Sequence, residues 1–193
     1  MATSSPSLPV SPATTPEATP IPKSYAKGVA TTPDPWELCA RLEYGGDRSF
    51  AWSVRQQVVR TAPTGRAKIE TQLLTTLASP DRTPAGCAFL CQMLAMVGTA
   101  KSVPALSRLL LDPASTESAR YALEAIPGHE ASAALRTGLT TLTAEAKAGL
   151  IGSIAARRDS AARPALVALS TAPAEPAVVR EAATRALEHL PPP

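Results

Sequence analysis

The chain has 193 residues, a formal net charge of +3, and a 45% hydrophobic composition in which aromatics are only 4%. That length allows one domain with an appendage. Lys23, Lys27 and Glu17 leave +1 on the first 33 residues and +2 on the rest, too weak a surplus to imply a nucleic-acid partner by itself. The three cysteines are an odd number, which argues against a disulfide framework, and no apolar run approaches the ~20 residues needed to cross a bilayer.

Residues 1–33 are dominated by Pro, Ser, Thr and Ala. Such a segment cannot bury enough apolar surface to offset its ordering entropy, so a disordered tail or linker with some polyproline II character is expected. Pro9-x-x-Pro12 has the spacing of an SH3-type ligand, but no arginine flanks it. No charged start and apolar core of a signal peptide is visible. A cytoplasmic location is expected if Met1 is the true start, and an exported one if a leader has been removed.

Order is expected from Asp34. Asp34 can cap a helix with Pro35 in its first turn and Glu37 three residues on. That helix is expected to run to Gly45-Gly46, with Trp36, Cys39 or Ala40, and Tyr44 inward. Asp47 can cap the next, carrying Phe50, Val54, Val58 and Trp52. Trp36, Tyr44 and Trp52 are expected to seal a terminal layer. A helix over Gly65–Leu77 follows, then one from Thr83-Pro84 with Cys87, Leu90, Cys91, Leu94 and Val97 inward. Cys87 and Cys91 read as small buried hydrophobes. A metal site needs further ligands, and His129 and His189 lie far away in sequence.

The stretch from Gly98 to Leu142 holds the clearest unit. Val103 opens a helix with Pro104 in its first turn, where a missing N–H costs nothing. Leu106, Leu109 and Leu110 make one stripe, and Asp112-Pro113 closes it. Ser115 or Thr116 can cap a second helix whose stripe is Ala119, Ala122, Leu123 and Ile126, stopped by Pro127-Gly128. Later helices are expected over Glu130–Leu142, after a Thr143 cap, over Ser160–Leu169, and over Glu175–Leu190. Pro191-Pro192-Pro193 supplies no strongly polar cap, which suits a chain cut from something longer or an end that meets a partner.

Equivalent leucines recur at a period near thirty. Leu94 to Leu123 and Leu106 to Leu135 are both 29 residues apart, Leu135 to Leu166 is 31, and Leu73 to Leu106 is 33. Pro104-Ala105-Leu106 returns as Pro164-Ala165-Leu166, and Ala122-Leu123-Glu124 as Ala186-Leu187-Glu188. Two helices per period, each with one apolar stripe, cannot bury themselves alone, so copies must stack. A non-repeating helical bundle is the other arrangement open to such a composition.

The run from Gly98 to Pro127 resembles a short HEAT-like repeat of the kind also found in phycobilisome-lyase-type proteins, and the run from Arg157 to Leu190 resembles another copy. Asp159 and Arg180 sit where such repeats often carry charges. The resemblance implies an all-α, right-handed α-solenoid of about five stacked antiparallel hairpins over residues 34–193. Such repeats serve many functions, so the fold leaves function open.

No Gly-rich phosphate loop, His-Glu-x-x-His or Gly-x-Ser-x-Gly occurs. No catalytic residue, metal or cofactor is therefore assigned. The expected function is a non-catalytic scaffold that binds another protein or peptide. A lyase-type subunit handling a chromophore or prosthetic group, and a nucleic-acid-binding solenoid, are the alternatives. Outward positions on the second helices include Gln92, Glu117, Arg120, Tyr121, Glu124, Lys147, Thr184 and Arg185, with Arg157-Arg158 adding a basic corner. Arg120, Tyr121, Arg157 and Arg185 are the candidate partner contacts, since Arg and Tyr are enriched at binding hot spots.

Overall fold

The structure is a computed structural model that describes residues 33–191. The tail expected over 1–33 lies outside the described residues up to residue 32. All regular structure among the described residues is helical. The elements are α1 (Pro35–Ala40), α2 (Ser49–Arg60), α3 (Arg66–Leu77), α4 (Pro84–Val97), α5 (Val103–Leu110), α6 (Thr116–Ala125), α7 (His129–Gly138), α8 (Ala144–Ala156), α9 (Arg163–Thr171) and α10 (Ala177–His189). One-turn 3-10 segments lead into α3, α5 and α9.

Neighbours in sequence pair: α1 with α2, α3 with α4, α5 with α6, α7 with α8, and α9 with α10. The even-numbered helices also pack in succession, α2 on α4, α4 on α6, α6 on α8 and α8 on α10, while α5 packs on α7. The recurring leucines sit at these joints. Leu73, Leu106, Leu135 and Leu166 are fully buried on α3, α5, α7 and α9, and Leu94, Leu123 and Ile154 on α4, α6 and α8. Each such side chain contributes roughly 1.5–3 kcal/mol by leaving water. The last helix packs through smaller residues, with Val179, Ala183 and Ala186 buried.

Several helix starts follow the local chemistry read from the sequence, although Thr143, expected to cap α8, makes no side-chain cap bond. The Asp34 carboxylate accepts from the Trp36 N–H at 3.0 Å, and the Thr83 hydroxyl accepts from the Gly86 N–H at 2.9 Å. Asp47 accepts from both the Ser49 N–H and its hydroxyl, which hold its carboxyl below the ordinary range. Ser115 and Thr116 act differently. Neither side chain caps the N–H groups of α6. Ser115 donates to Asp112 at 2.8 Å, and Thr116 donates to the carbonyls of Leu110 and Asp112, tying the turn together.

The first helix is shorter than expected. It ends at Ala40 rather than at Gly45-Gly46, and the carbonyl of Ala40 is taken by Thr83, the cap of α4. The Thr83 N–H donates to the Ala40 carbonyl at 3.0 Å, and its hydroxyl donates to that of Leu42 at 2.5 Å. Gly86 makes this approach feasible, because a Cβ there would lie 2.1 Å from the Ala40 oxygen. Tyr44 consequently falls in a turn and is 73% exposed, and Trp52, one residue past the buried Ala51, is 61% exposed. Only Trp36 of the three aromatics packs on the core. The seventh helix also ends early, at Gly138, and a short turn carries the half-buried Leu142.

Candidate functional site

The four candidate contacts divide into two pairs. Arg120 and Arg157 are used inside the fold, while Tyr121 and Arg185 face outward.

Arg120 lies on α6 with its side chain 20% exposed. It donates to Glu117 at 2.7 Å, to Glu124 at 3.4 Å and to the Ser153 hydroxyl of α8 at 2.7 Å. Ser153, itself fully buried, donates to Glu124 at 2.7 Å. This closed cycle crosses the α6/α8 joint, so Glu124 is part of the joint rather than an outward-facing solvated side chain. Lys147 is likewise occupied, paired with Glu175 at 2.7 Å.

Arg157 ends α8, and its guanidinium closes the C-terminus of α6. It donates to the carbonyls of Leu123 at 2.9 Å, Glu124 at 2.8 Å and Ile126 at 2.5 Å. It also reaches the Gly128 carbonyl at 2.7 Å and the Ser132 hydroxyl at 2.9 Å. Helix C-termini leave carbonyls without partners and carry partial negative charge, so a fork of N–H donors is well suited there. Burial holds its pKa below the usual arginine value, against the attraction of Asp159 and Glu124. Its neighbour Arg158 is the one non-glycine residue among those described with positive φ, at 53°. Asp159, noted for its position in the repeat, pairs with Arg136. Arg163 closes α10 in a similar way, donating to the carbonyls of Leu190 and Pro191. These roles were illegible in sequence, since the arginines and their carbonyls lie some thirty residues apart.

Tyr121 is 56% exposed on α6. Arg185 is exposed on α10 and makes no hydrogen bond or ion pair with the described residues. Gln92, Tyr121, Gly152 and Arg185 follow one another at spacings of 29, 31 and 33 residues, one on each successively packed even helix. Between Tyr121 and Arg185, Ala148, Gly152 and Ala156 recur every fourth residue along α8. With Ala155, Ala182 and Ala186 they line an open groove of about 460 Å³ between α8 and α10, and Arg185 and His189 stand on its α10 side. A Cβ placed on Gly152 would meet nothing within 4 Å, so the groove floor is open there. This groove was missed in the sequence. Its signal was the alanine- and glycine-rich sequence of α8.

The thiols are buried and free. Burial, with a contribution from Asp34, pushes Cys39 up to about 12. Cys91 is pushed up by its hydrogen bond with Cys87 and by burial. Within that pair Cys87 is the member held lower, by the contact with Cys91 and then by that with Ser115. No cluster of three or more His, Cys, Asp or Glu able to hold a metal occurs among the described residues, and none of their helices is long and apolar enough to cross a membrane. Comparison with family models, curated proteins and solved structures finds no match to the chain.

Proposed function

We propose that residues 34–193 form a HEAT-like α-solenoid that serves as a non-catalytic protein-interaction scaffold. The solenoid reading is supported by the way helices pair along the chain while the even-numbered ones pack in succession, with equivalent leucines at each joint. The partner is a protein or peptide lying along the even-helix face over α8. One observation carries this. Unpaired Arg185 lines a groove floored by alanine and glycine, which admits a partner's side chains or helix closely, and exposed Tyr121 holds the equivalent position on α6, the even helix packed on the other side of α8. Aromatic and arginine anchors beside an apolar depression are the usual composition of a binding hot spot.

The test uses the immobilised protein and a lysate of the source organism. Tyr121→Ala, Arg185→Ala and Gly152→Phe, each checked by circular dichroism, should lose the same retained protein. That protein, purified, should bind the wild type with only mild dependence on salt. Full retention by all three folded variants removes the reading. A nucleic-acid partner would instead show a steep loss of affinity as salt rises, through counterion release.

A further inference from the structure

A second surface lies between α3 and α5, away from the groove on α8. It is an open groove of about 420 Å³ with an apolar floor that includes Leu74, Leu77, Ala105 and Leu109. Arg82, Lys101 and Arg108 also line it, and no carboxylate does. Each cation is held by a neutral oxygen. Arg82 donates to the Leu77 carbonyl, Lys101 to the Thr71 hydroxyl at 2.8 Å, and Arg108 to the Pro104 carbonyl at 3.3 Å.

Arg157 and Arg163 are also held by carbonyls, but there each closes a helix end; several other cations are neutralised. Arg41, Arg120, Arg136 and Lys147 all meet a carboxylate. The acidic residues nearest in sequence to the groove are engaged. Glu70 is buried and accepts from the Thr99 N–H and hydroxyl and from the Ser102 hydroxyl. Asp81 pairs with Arg41. Asp112 accepts from the Ala114 N–H and the Ser115 hydroxyl. Three positive charges therefore converge on one apolar trough with no carboxylate facing them.

Arg108 also lines the next groove, between α5 and α7, of about 300 Å³. That groove contains Leu111, which is 62% exposed. Arg108 is thus the cation shared by two adjacent apolar depressions. Packed helices stand roughly 8–10 Å apart, about three residues of extended chain. A peptide crossing α5 would place apolar side chains about three residues apart in the two depressions, with acidic residues beside Arg82, Lys101 and Arg108.

We propose that these grooves dock an extended acidic peptide segment of a partner protein, bearing two apolar residues about three apart. The site goes beyond the scaffold reading and shares no residue with the face over α8, so either can fail without the other. The probe is a fluorescein-labelled peptide of sequence Gly-Glu-Leu-Glu-Glu-Leu-Glu-Gly, followed by fluorescence anisotropy against the full chain. Saturable binding is expected, weakened at least tenfold by glutamine in place of the glutamates and equally by serine in place of the leucines. Lys101→Glu with Arg108→Glu should abolish it. Lys101→Gln with Arg108→Gln, which avoids placing a carboxylate in the last turn of α5, should weaken it at least fivefold. Tyr121→Ala with Arg185→Ala should leave it unchanged. The proposal is overturned by the absence of saturable binding, by equal binding of the serine-substituted peptide, by full binding to the folded glutamine variant, or by tighter binding of anionic phospholipid vesicles or a DNA oligonucleotide at the same residues.

Discussion

The joint between α6 and α8 and the joint between α8 and α10 are built from the same kinds of helix and end differently. The first is crossed by guanidinium groups. Arg120 and Ser153 bridge it, and Arg157 closes the α6 terminus from α8. The second packs through Val179, Ala183 and Ala186 and leaves an alanine-lined groove beside exposed Arg185. An arginine is available to a partner only to the extent that the fold leaves donors of its guanidinium free. In one case the guanidinium stabilises the stack, and in the other it is left facing solvent.

The largest test of this contrast compares equivalent leucines. Leu123→Ala, in the closed joint, should cost ~2–5 kcal/mol in urea unfolding, because the side chain is fully buried and its loss leaves a cavity. Leu187→Ala, at the half-buried equivalent on α10, should cost about half as much or less. Equal costs would mean that the two joints are equally packed. Next, Arg157→Ala should destabilise by about 2–3 kcal/mol, because carbonyls at the end of α6 lose their donor. Arg185→Ala should stay within about 0.5 kcal/mol. If the two arginines cost the same, the distinction between internal and available guanidinium fails.

Ser153→Ala should cost ~1–2 kcal/mol, since it leaves Glu124 and Arg120 short of a partner across the joint. Gly152→Ala, one residue away but facing open space, should be neutral or stabilise by up to about 1 kcal/mol through helix propensity. These comparisons belong below about pH 9. Cys39 is raised from an unfolded value of 9.0 to about 12. Its contribution is complete below the unfolded value and lost as pH rises through the folded one. Cys39→Ala should therefore flatten the alkaline fall in stability between pH 9 and 12, read from denaturation midpoints. An unchanged alkaline limb would show that burial of this thiol is not its cause.

The periodic apolar positions were enough to place most helices. The stripe from Ala119 to Ile126 is buried as its spacing requires, and Pro84, Pro104 and Pro164 each fall in a first turn. That information is local: a side chain three or four residues away decides which face is apolar. The sequence likewise marked Tyr121 and Arg185 as outward. What it could not decide was the end of α1, set by Thr83 and Gly86 some forty residues on. Nor could it decide the fate of Arg120 and Arg157, whose partners on the adjoining elements lie more than thirty residues away in several bonds. Helical periodicity says which side chains leave the helix on one face. Only the approach of a second helix determines whether that face meets carbonyls, carboxylates or water.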